Sequence, residues 1–540
     1  MNNFTTIDFI VLIVYVIGIA LFGAFFGKGQ KSTKDYFLGG RNVPWWAIGL
    51  SVMATQASAI TFIGAPGWGY EGGLDRINTY INLPLVMAFL MVTLVPFFYR
   101  TEVYTAYEYL ERRFDTKTRS LTAALFLVSR GLATGVVLYA PALVLSVVTG
   151  WNVNLTIALM AIIAIAYTVL GGISAVIWTD VIQMFVLWLG AILAIITIVG
   201  TLPDGFSGAV SLGAQEGMLE SLNFQFDLSA EYSIWAGVIG GFFLHVAYFG
   251  ADQSQIQRVL TSKSIKESKM SLLISGLFIF PQMLLFLFIG ILLYAYYQYV
   301  GQPDIENLNE LFPLFVVNNL PVGITGLIIA GVFAAAMSSL DSALNSLSAV
   351  TVRDFYAKFL KKNGSEAHYL KASRWATIFW GIYATIFAFF AGNLGPVIET
   401  VNQIGSYFYG ALLGVFLLAI FVRRANGTGA FAGVIAGMAA VWLVITFAEI
   451  SWLYNNAVGA VVSVLVGYGV SLLAPAPKKE KTQGLIFGDK EPLQEELEKR
   501  QSQAEKVKEL EEERSMKKWP YILIAYFFVT LIILYLFQVA

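Results

Sequence analysis

The chain alternates long apolar runs with short polar segments. Reading the runs between charged and turn-forming residues gives fourteen stretches close to the ~20 residues that an α-helix needs to cross the hydrocarbon of a bilayer. The pattern therefore predicts an all-α, polytopic membrane protein with about 14 transmembrane helices. The predicted spans are 5–28, 45–70, 79–99, 120–149, 153–171, 174–201, 233–251, 268–298, 322–350, 371–391, 395–421, 428–449, 453–474 and 519–538.

Charge in the short loops predicts the orientation of these spans. Alternate loops are rich in Lys and Arg, such as the loops from Lys28 to Arg41 and from Arg258 to Lys269, whereas 202–232 and 299–321 contain neither residue. Lys and Arg accumulate on the cytoplasmic side of membrane proteins, and Arg76 is the one exception to the alternation. We therefore expect both termini outside, in a plasma membrane. The lack of a transit sequence and of long extracellular domains favours a bacterial inner membrane.

Composition excludes several classes of protein. Only 13% of the residues are charged, 57% are hydrophobic and the mean hydropathy is +0.69, against roughly 25% charged residues in a soluble domain. A net charge of −1 gives no electrostatic support for a nucleic-acid partner. The chain has no cysteine and no HExxH-type motif, so neither thiol catalysis nor a zinc site is indicated. We expect a protein that is not an enzyme and needs no cofactor.

Two spans contain helix-breaking residues at membrane depth. The second span includes Gly64 and Pro66, and the seventh includes Gly240, Gly241, Gly250 and Asp252. Such residues survive there only where protein or a water-filled cavity satisfies the backbone, so they indicate a binding site. The two spans are five apart, and a five-span unit followed by another has inverted topology. The predicted order is an extra helix in 1–30, a first repeat in 44–201, a second repeat in 232–421, two peripheral helices in 428–474, a charged linker in 475–518 and a last helix in 519–540.

The ninth span carries a polar face. Helical spacing places Ser338, Asp341 and Ser342 on one side, and a carboxylate inside hydrocarbon costs several kcal/mol unless it is partnered. Hydroxyls, carbonyls and carboxylates are ligands for a hard cation, and Asp180 is a candidate second carboxylate. The alternatives are helix packing by small residues for this face and a helix N-terminal position for Asp180.

Two further polar residues lie inside predicted spans. Arg130, in span four, is a candidate bidentate clamp for a substrate carboxylate. A snorkelling residue or a structural partner for a buried acid would explain it equally. His245, on an apolar face of span seven, is either a hydrogen-bonded interior residue or part of a site. Asn402, near the outer start of span eleven, either lines the site or lies at the interface.

At several of these stretches the chain resembles the sodium:solute symporter family, which includes the galactose, sialic-acid, iodide and monocarboxylate symporters. The resemblance runs from the first span to about span twelve. The stretches that carry it are Lys31 to Arg41 (KSTKDYFLGGR), Pro44 to Ala47 (PWWA), Leu170 to Gln183 (LGGISAVIWTDVIQ), Asp252-Gln253 with Gln257-Arg258, and Ser338-Ser339.

The resemblance implies a LeuT-like core of two inverted five-helix repeats, spans two to eleven, with one helix before it and three after it. It implies a sodium site made of backbone carbonyls from the first and eighth core helices and of hydroxyls from the eighth. It also implies, as in some members, a second sodium near the aspartate of the fifth core helix. The residues so predicted are Ala54, Ala57, Ala335, Ser338 and Ser339 for the first sodium, and Asp180, Asp341 and Ser342 for the second.

The substrate positions resemble two branches of the family. Tyr248 corresponds to the inner-gate tyrosine of the galactose symporter and His245 to its sugar-binding asparagine, whereas Arg130 corresponds to the arginine that holds the carboxylate in the sialic-acid branch. The predicted substrate-binding residues are Thr61, Asn82, Arg130, His245, Tyr248 and Asn402.

The function predicted from these residues is sodium-coupled symport by alternating access. The favoured solute is small and carries a carboxylate, because of Arg130; a sugar or polyol is the alternative. A membrane sensor or an ion channel on the same fold is an alternative of another class. The expected partners are sodium as the coupling ion, the solute and the lipid bilayer.

Overall fold

The computed structural model describes residues 4–27, 32–100, 103–305, 307–395, 397–487 and 516–539. The regular elements of this part of the chain are helices, with one isolated β-bridge between Val43 and Ser262. Most of the predicted linker, 475–518, lies outside it. The helices are α1 Thr6–Gly27, α2 Thr33–Leu38, α3 Trp45–Gln56, α4 Ala59–Gly72, α5 Leu83–Val92, α6 Leu94–Arg100, α7 Ala106–Arg113, α8 Thr116–Thr149, α9 Val153–Thr201, α10 Gly205–Gln215, α11 Phe242–Ala251, α12 Gln253–Val259, α13 Ile265–Val300, α14 Leu311–Asn319, α15 Ile324–Val350, α16 Glu366–Ala391, α17 Val397–Phe421, α18 Gly427–Phe447, α19 Tyr454–Leu473 and α20 Trp519–Val539.

Eleven stretches of the described residues are helical, long and apolar enough to cross a membrane. Two further apolar helices, Val153–Ala166 and Ala236–Ala251, are shorter. Helix α9 contains two predicted spans, because its backbone leaves the helical region at Gly172, where φ is 57° and ψ is −173°. The all-helical polytopic architecture is therefore as expected, and the count of fourteen spans stays a prediction.

Burial separates central helices from peripheral ones. In the apolar window of the α15 segment 94% of the residues are buried, against 24% in α1 and 22% in α20. A helix that is apolar on every side needs protein or lipid around all of it. Helix α15 is therefore surrounded by protein, whereas α1 and α20 expose most of their apolar surface to lipid.

The second predicted span is broken, as expected, but the break lies before the glycines. Helix α3 ends at Gln56, Ala57 adopts φ −88° and ψ 62°, and the Ser58 hydroxyl accepts a hydrogen bond from the Ile60 amide at the start of α4. Gly64 and Pro66 both lie inside α4. The break therefore falls at Ala57 and Ser58, within the predicted site.

The seventh predicted span is interrupted at its end. Gly240 and Gly241 remain helical, in a π-helical segment, Ala236–Gly241, that continues into α11. The backbone leaves the helix at Asp252, whose ψ is 123°, and the Asp252 carboxylate caps α12. The seventh span is therefore broken, as expected, at Asp252 and not at Gly240 and Gly241. Gly240 serves close packing instead, because a Cβ there would lie 2.6 Å from the backbone of Leu453.

An ion-pair network closes the end of the bundle that carries the basic loops. Glu111 of α7 accepts hydrogen bonds from Arg119, Lys358 and Thr116, and Arg119 also pairs with Asp354 at 2.7 Å. Burial favours the neutral form of Glu111, but these donors together lower its pKa to about 2. Glu111 is therefore ionised at neutral pH and joins α7 and α8 to the π-helical segment Thr351–Leu360, which follows α15.

Helices α4 and α13 approach so closely that their contact excludes side chains. A Cβ on Gly290 would lie 2.2 Å from the Pro66 carbonyl oxygen and 2.5 Å from the Tyr70 amide nitrogen. We expect Gly290→Ala to destabilise the protein by about 1–3 kcal/mol, because backbone atoms cannot move aside as a side-chain tip can. Thermal unfolding in detergent measures this. Gly200→Ala, where nothing lies within 4 Å of the added atom, is the control, and equal melting temperatures for the two variants would contradict the prediction.

Candidate functional site

A polar cavity lies beside the break between α3 and α4. It has about 710 Å³ of empty space and is bounded by α3, α4, α8, α11, α15 and α17. Its walls bring together residues that are far apart in sequence. The predicted residues that line it are Thr61, Arg130, His245, Tyr248, Ser339 and Asn402; other lining residues include Thr55, Gln56, Ser58, Tyr80 and Tyr409.

The break leaves backbone carbonyls near the cavity. The last four carbonyls of a helix have no intrahelical partner. At the end of α3 the Met53 carbonyl accepts from the Ala57 amide, and the Gln56 carbonyl accepts from the Thr61 hydroxyl at 3.0 Å. The Ala54 carbonyl lies between these two along the chain, in the last turn of α3, and is one of the predicted sodium ligands.

The hydroxyls of α15 lie on the opposite side of this break. Ser339 lines the same cavity as Thr55 and Ser58, and its hydroxyl donates to the Ala335 carbonyl at 3.2 Å. Ser338 is fully buried and donates to Asp180. A hydroxyl that donates its proton keeps two lone pairs. The structure therefore brings α15 to the unwound backbone, with hydroxyl oxygens that can still act as ligands.

Asp180 forms a buried ion pair with Arg258. Both side chains are fully buried, with 3.3 Å between an Arg258 Nη and an Asp180 Oδ. Ser51 and Ser338 donate to the carboxylate, and the guanidinium donates to Ser51 and Ser342. Asp180 lies inside α9 rather than at its start. The alternative interpretation as a helix N-terminal residue was therefore wrong.

Asp341 has a different partner from Asp180. The Thr168 hydroxyl, in the first half of α9, donates to the Asp341 carboxylate. Asp180 and Ser342 instead share the Arg258 guanidinium. The three residues predicted for a second sodium are thus divided between two hydrogen-bonded groups.

Arg130 reaches the cavity with a protein carboxylate already bound. One of its Nη atoms lies 3.1 Å from Asp252 and donates to Ser254, and its guanidinium lies over the Tyr248 ring at 5.6 Å from the centroid. Tyr409 donates to the same carboxylate at 3.1 Å. The Arg130 Nε is buried and has no hydrogen-bond partner. Arg130 is therefore the structural partner of a buried acid, and it lines the cavity with one N–H donor left without a partner.

His245 is held by Asn82. The Asn82 side-chain amide donates to the Thr79 and Gly237 carbonyls, at 2.8 and 2.9 Å, so its oxygen must accept the 2.8 Å bond from His245 Nδ1. This arrangement puts the proton on Nδ1 and leaves Nε2 as an acceptor when the ring is neutral. Asn82 therefore orients His245 and does not itself line the cavity.

Reasoning from the sequence missed Arg258 as a site residue. It was counted among the basic residues of a cytoplasmic loop, yet it is fully buried, because α12 turns back into the bundle after Asp252. One signal could have found it. A buried Asp180 requires a cation, and Gln257-Arg258 is one of the stretches that carry the family resemblance.

Comparison with known proteins agrees with this arrangement. The model of the sodium:solute symporter family matches residues 36–437. The sodium/sialic acid symporter NanT of Aliivibrio fischeri is 33% identical over 94% of this chain and 99% of its own length. The human sodium-coupled monocarboxylate transporter 1 is 30% identical over 88% of this chain and 76% of its own length.

A solved structure is similar over most of its length. A Na⁺-coupled sialic acid symporter in a substrate-bound outward-open state superposes with a TM-score of 0.81 at 32% identity, covering 88% of this chain and 99% of that chain. The LeuT-like fold class is thereby confirmed. These relatives are transporters and not enzymes, as predicted. The chain belongs to the sodium:solute symporter family and is a multi-pass, sodium-coupled transporter.

Proposed function

We propose that the chain imports a small carboxylate-bearing organic solute together with sodium, by alternating access. The observation that carries the choice of solute is Arg130, a buried guanidinium at the cavity with an unpartnered Nε. A guanidinium binds a carboxylate through two parallel hydrogen bonds. Both relatives named above transport, by their names, solutes that carry a carboxylate, which supports the same choice.

The other predicted substrate residues give the cavity its polar lining. His245 offers Nε2, Tyr248 lines the cavity beside Arg130, and Asn402 and Thr61 add an amide and a hydroxyl. A solute that carries hydroxyl or amide groups beside its carboxylate finds partners for them here. In this proposal Arg130 binds the carboxylate and the remaining side chains select the rest of the molecule.

Sodium binds in this proposal where the unwound backbone meets α15. The ligands are the Ala54, Ala57 and Ala335 carbonyls and the Ser338 and Ser339 hydroxyls. Carbonyls and hydroxyls are hard ligands that do not titrate near neutral pH, so they suit sodium better than a proton. A second sodium at Asp180, Asp341 and Ser342 stays a proposal, and it would share the Asp180 carboxylate with Arg258.

Coupling follows from the position of the sodium site between two elements. An ion that joins α15 to the broken helix stabilises the conformation in which the two are close, and that conformation then binds solute more tightly. The coupling must be reciprocal, so solute should also raise the affinity for sodium. A membrane potential of ~100 mV contributes about 2.3 kcal/mol for each sodium charge, which supports accumulation of the solute.

The orientation of the helices and the type of membrane are also part of this proposal. We place both termini outside, because the basic loops alternate with loops that lack Lys and Arg. A bacterial inner membrane is supported by relatives from Aliivibrio fischeri and Proteus mirabilis.

Counterflow in proteoliposomes tests the proposed function. Vesicles loaded with an unlabelled acid should take up the same labelled acid faster, and only with sodium on both sides, because a carrier exchanges its solute through one site. A parallel series with labelled sugars and polyols tests the alternative solutes. Faster exchange with sugars alone would overturn the proposal that the solute carries a carboxylate. A sodium current without exchange would indicate a channel.

Removal of one hydroxyl tests the sodium site. We expect Ser339→Ala to raise the sodium concentration for half-maximal uptake roughly 10-fold, because one ligand of a cation is lost, and to change the affinity for solute less. Ser346→Ala is the matched control, since Ser346 lies on the same helix and its hydroxyl bonds the Ala343 carbonyl. An unchanged sodium requirement in Ser339→Ala would count against the site.

A further inference from the structure

An apolar groove on the outside of the bundle runs to a pair of arginines. The groove contains about 890 Å³ of empty space between α5, α11, α17 and α19 and is lined by carbon side chains such as Phe89, Phe243 and Val464. A second depression of about 690 Å³ continues it and is lined by Arg423 and Arg424. The two depressions share the residues Phe421, Val422, Val464 and Leu465.

The backbone segment that carries Arg423 and Arg424 is fixed by hydrogen bonds. Arg113 is almost fully buried and donates to the carbonyls of Ala419, Val422 and Ala425, at 2.8 to 3.0 Å. These three bonds fix the turn that follows α17. The positive charge at the end of the groove is therefore preorganised, which lowers the entropy lost on binding a partner.

Arg424 has a donor that the protein does not use. Its Nη2 donates to the carbonyls of Leu472 and Ala474 at the end of α19. Its Nη1 is buried and has no hydrogen-bond partner. A buried guanidinium N–H without an acceptor is costly, and a phosphate oxygen would satisfy it. Arg423, the neighbouring residue, is exposed on the same depression.

We infer that this groove binds one anionic phospholipid. The acyl chains occupy the apolar part between α5, α11, α17 and α19, and the phosphate of the head group contacts Arg423 and Arg424. The chemistry agrees, since the groove is lined by apolar side chains and the cations lie only at its end. With the orientation proposed above, this end faces the cytoplasmic leaflet, where anionic lipids attract Lys and Arg.

The apolar groove and the polar cavity lie on two sides of the same helix, α11. Phe242, Phe243 and Val246 of α11 face the groove, whereas His245 and Tyr248 of the same helix face the cavity. A lipid bound here therefore packs against the outer side of a helix that carries two proposed substrate residues.

A lipid titration of the purified full-length chain in detergent tests the inference. Phosphatidylglycerol and phosphatidylcholine with identical acyl chains are added, and bound lipid is counted by native mass spectrometry. We expect one phosphatidylglycerol to bind more tightly than phosphatidylcholine. The double substitution Arg423→Gln with Arg424→Gln should weaken its binding roughly 30-fold, because each cation lost costs about fivefold in affinity. Lys371→Gln, an exposed basic residue on α16, is the control and should bind as the unmodified protein does.

Two further variants separate the parts of the site. Arg423→Gln alone leaves the bonds from Arg424 to the end of α19 intact, so a loss of preference in this variant does not reflect misfolding. Val464→Trp fills the groove without removing a charge and should weaken both lipids. Equal binding of the two lipids to the unmodified chain, or an unchanged preference in the double variant, would overturn the inference. Because binding is measured without transport, its failure is distinct from failure of the proposed function.

Discussion

Substitution of Arg258 by methionine is expected to destabilise the protein by about 3–5 kcal/mol, because it leaves the Asp180 carboxylate buried without its cation. Arg258 and Asp180 are both fully buried, and the guanidinium also donates to Ser51 and Ser342. Thermal unfolding in detergent measures the loss. Of the changes considered, this one should have the largest effect on stability, since it removes one partner of an ion pair at the centre of the bundle.

A second substitution distinguishes loss of the ion pair from loss of side-chain packing. Replacing Asp180 by asparagine in the Arg258→Met background removes the unpaired charge, so the double variant should recover much of the stability. The effect of sodium on thermal stability can also be measured. If a second sodium uses Asp180, sodium should protect Arg258→Met against unfolding more strongly than it protects the unmodified chain, because the competing cation is gone. A single variant as stable as the unmodified protein would refute the role given to this pair.

The sequence predicted those parts of the site that depend on local chemistry. Gly64 and Pro66 indicated a break in the second span, and the structure has one, although it lies earlier in the chain, at Ala57 and Ser58. Membrane-buried Arg130 and His245 were singled out because polar groups in hydrocarbon need partners, and both line one cavity. Each of these inferences needed only the residue and its depth.

The parts that were missed depend on contacts between distant segments. Gly240 and Gly241 stay helical, and their small size serves packing: Gly240 lies against Leu453, just before α19, and Gly241 lies against Asn82. Arg258 was assigned to a loop because the sequence does not show that it lies next to Asp180 in the folded protein. Asn82 was named as a substrate residue, and its actual partners are two backbone carbonyls and His245. Only the fold determines which of several polar partners a buried group obtains.

Replacement of Arg130 by lysine is expected to raise the KM for the carboxylated solute roughly 100-fold at saturating sodium, because an ammonium group cannot form the two parallel hydrogen bonds of a guanidinium. Lysine keeps the positive charge beside Asp252, which Arg130 now pairs with at 3.1 Å, so folding should suffer less than in an alanine variant. Initial rates of uptake into proteoliposomes, measured against solute concentration, give the result.

The matched control is Arg119→Lys. Arg119 lies on the same helix, α8, and is also a largely buried arginine paired with an aspartate, Asp354, but it lies in the network of α7, α8 and the π-helical segment rather than at the cavity. Arg119→Lys should lower the melting temperature and leave the KM for solute unchanged. Arg130→Lys should raise the KM and lower the melting temperature less. A KM that rises equally in both variants would mean that Arg130 acts only through the fold. If Arg130→Ala also transported every candidate acid at the unmodified rate, the solute would have to be sought among sugars and polyols.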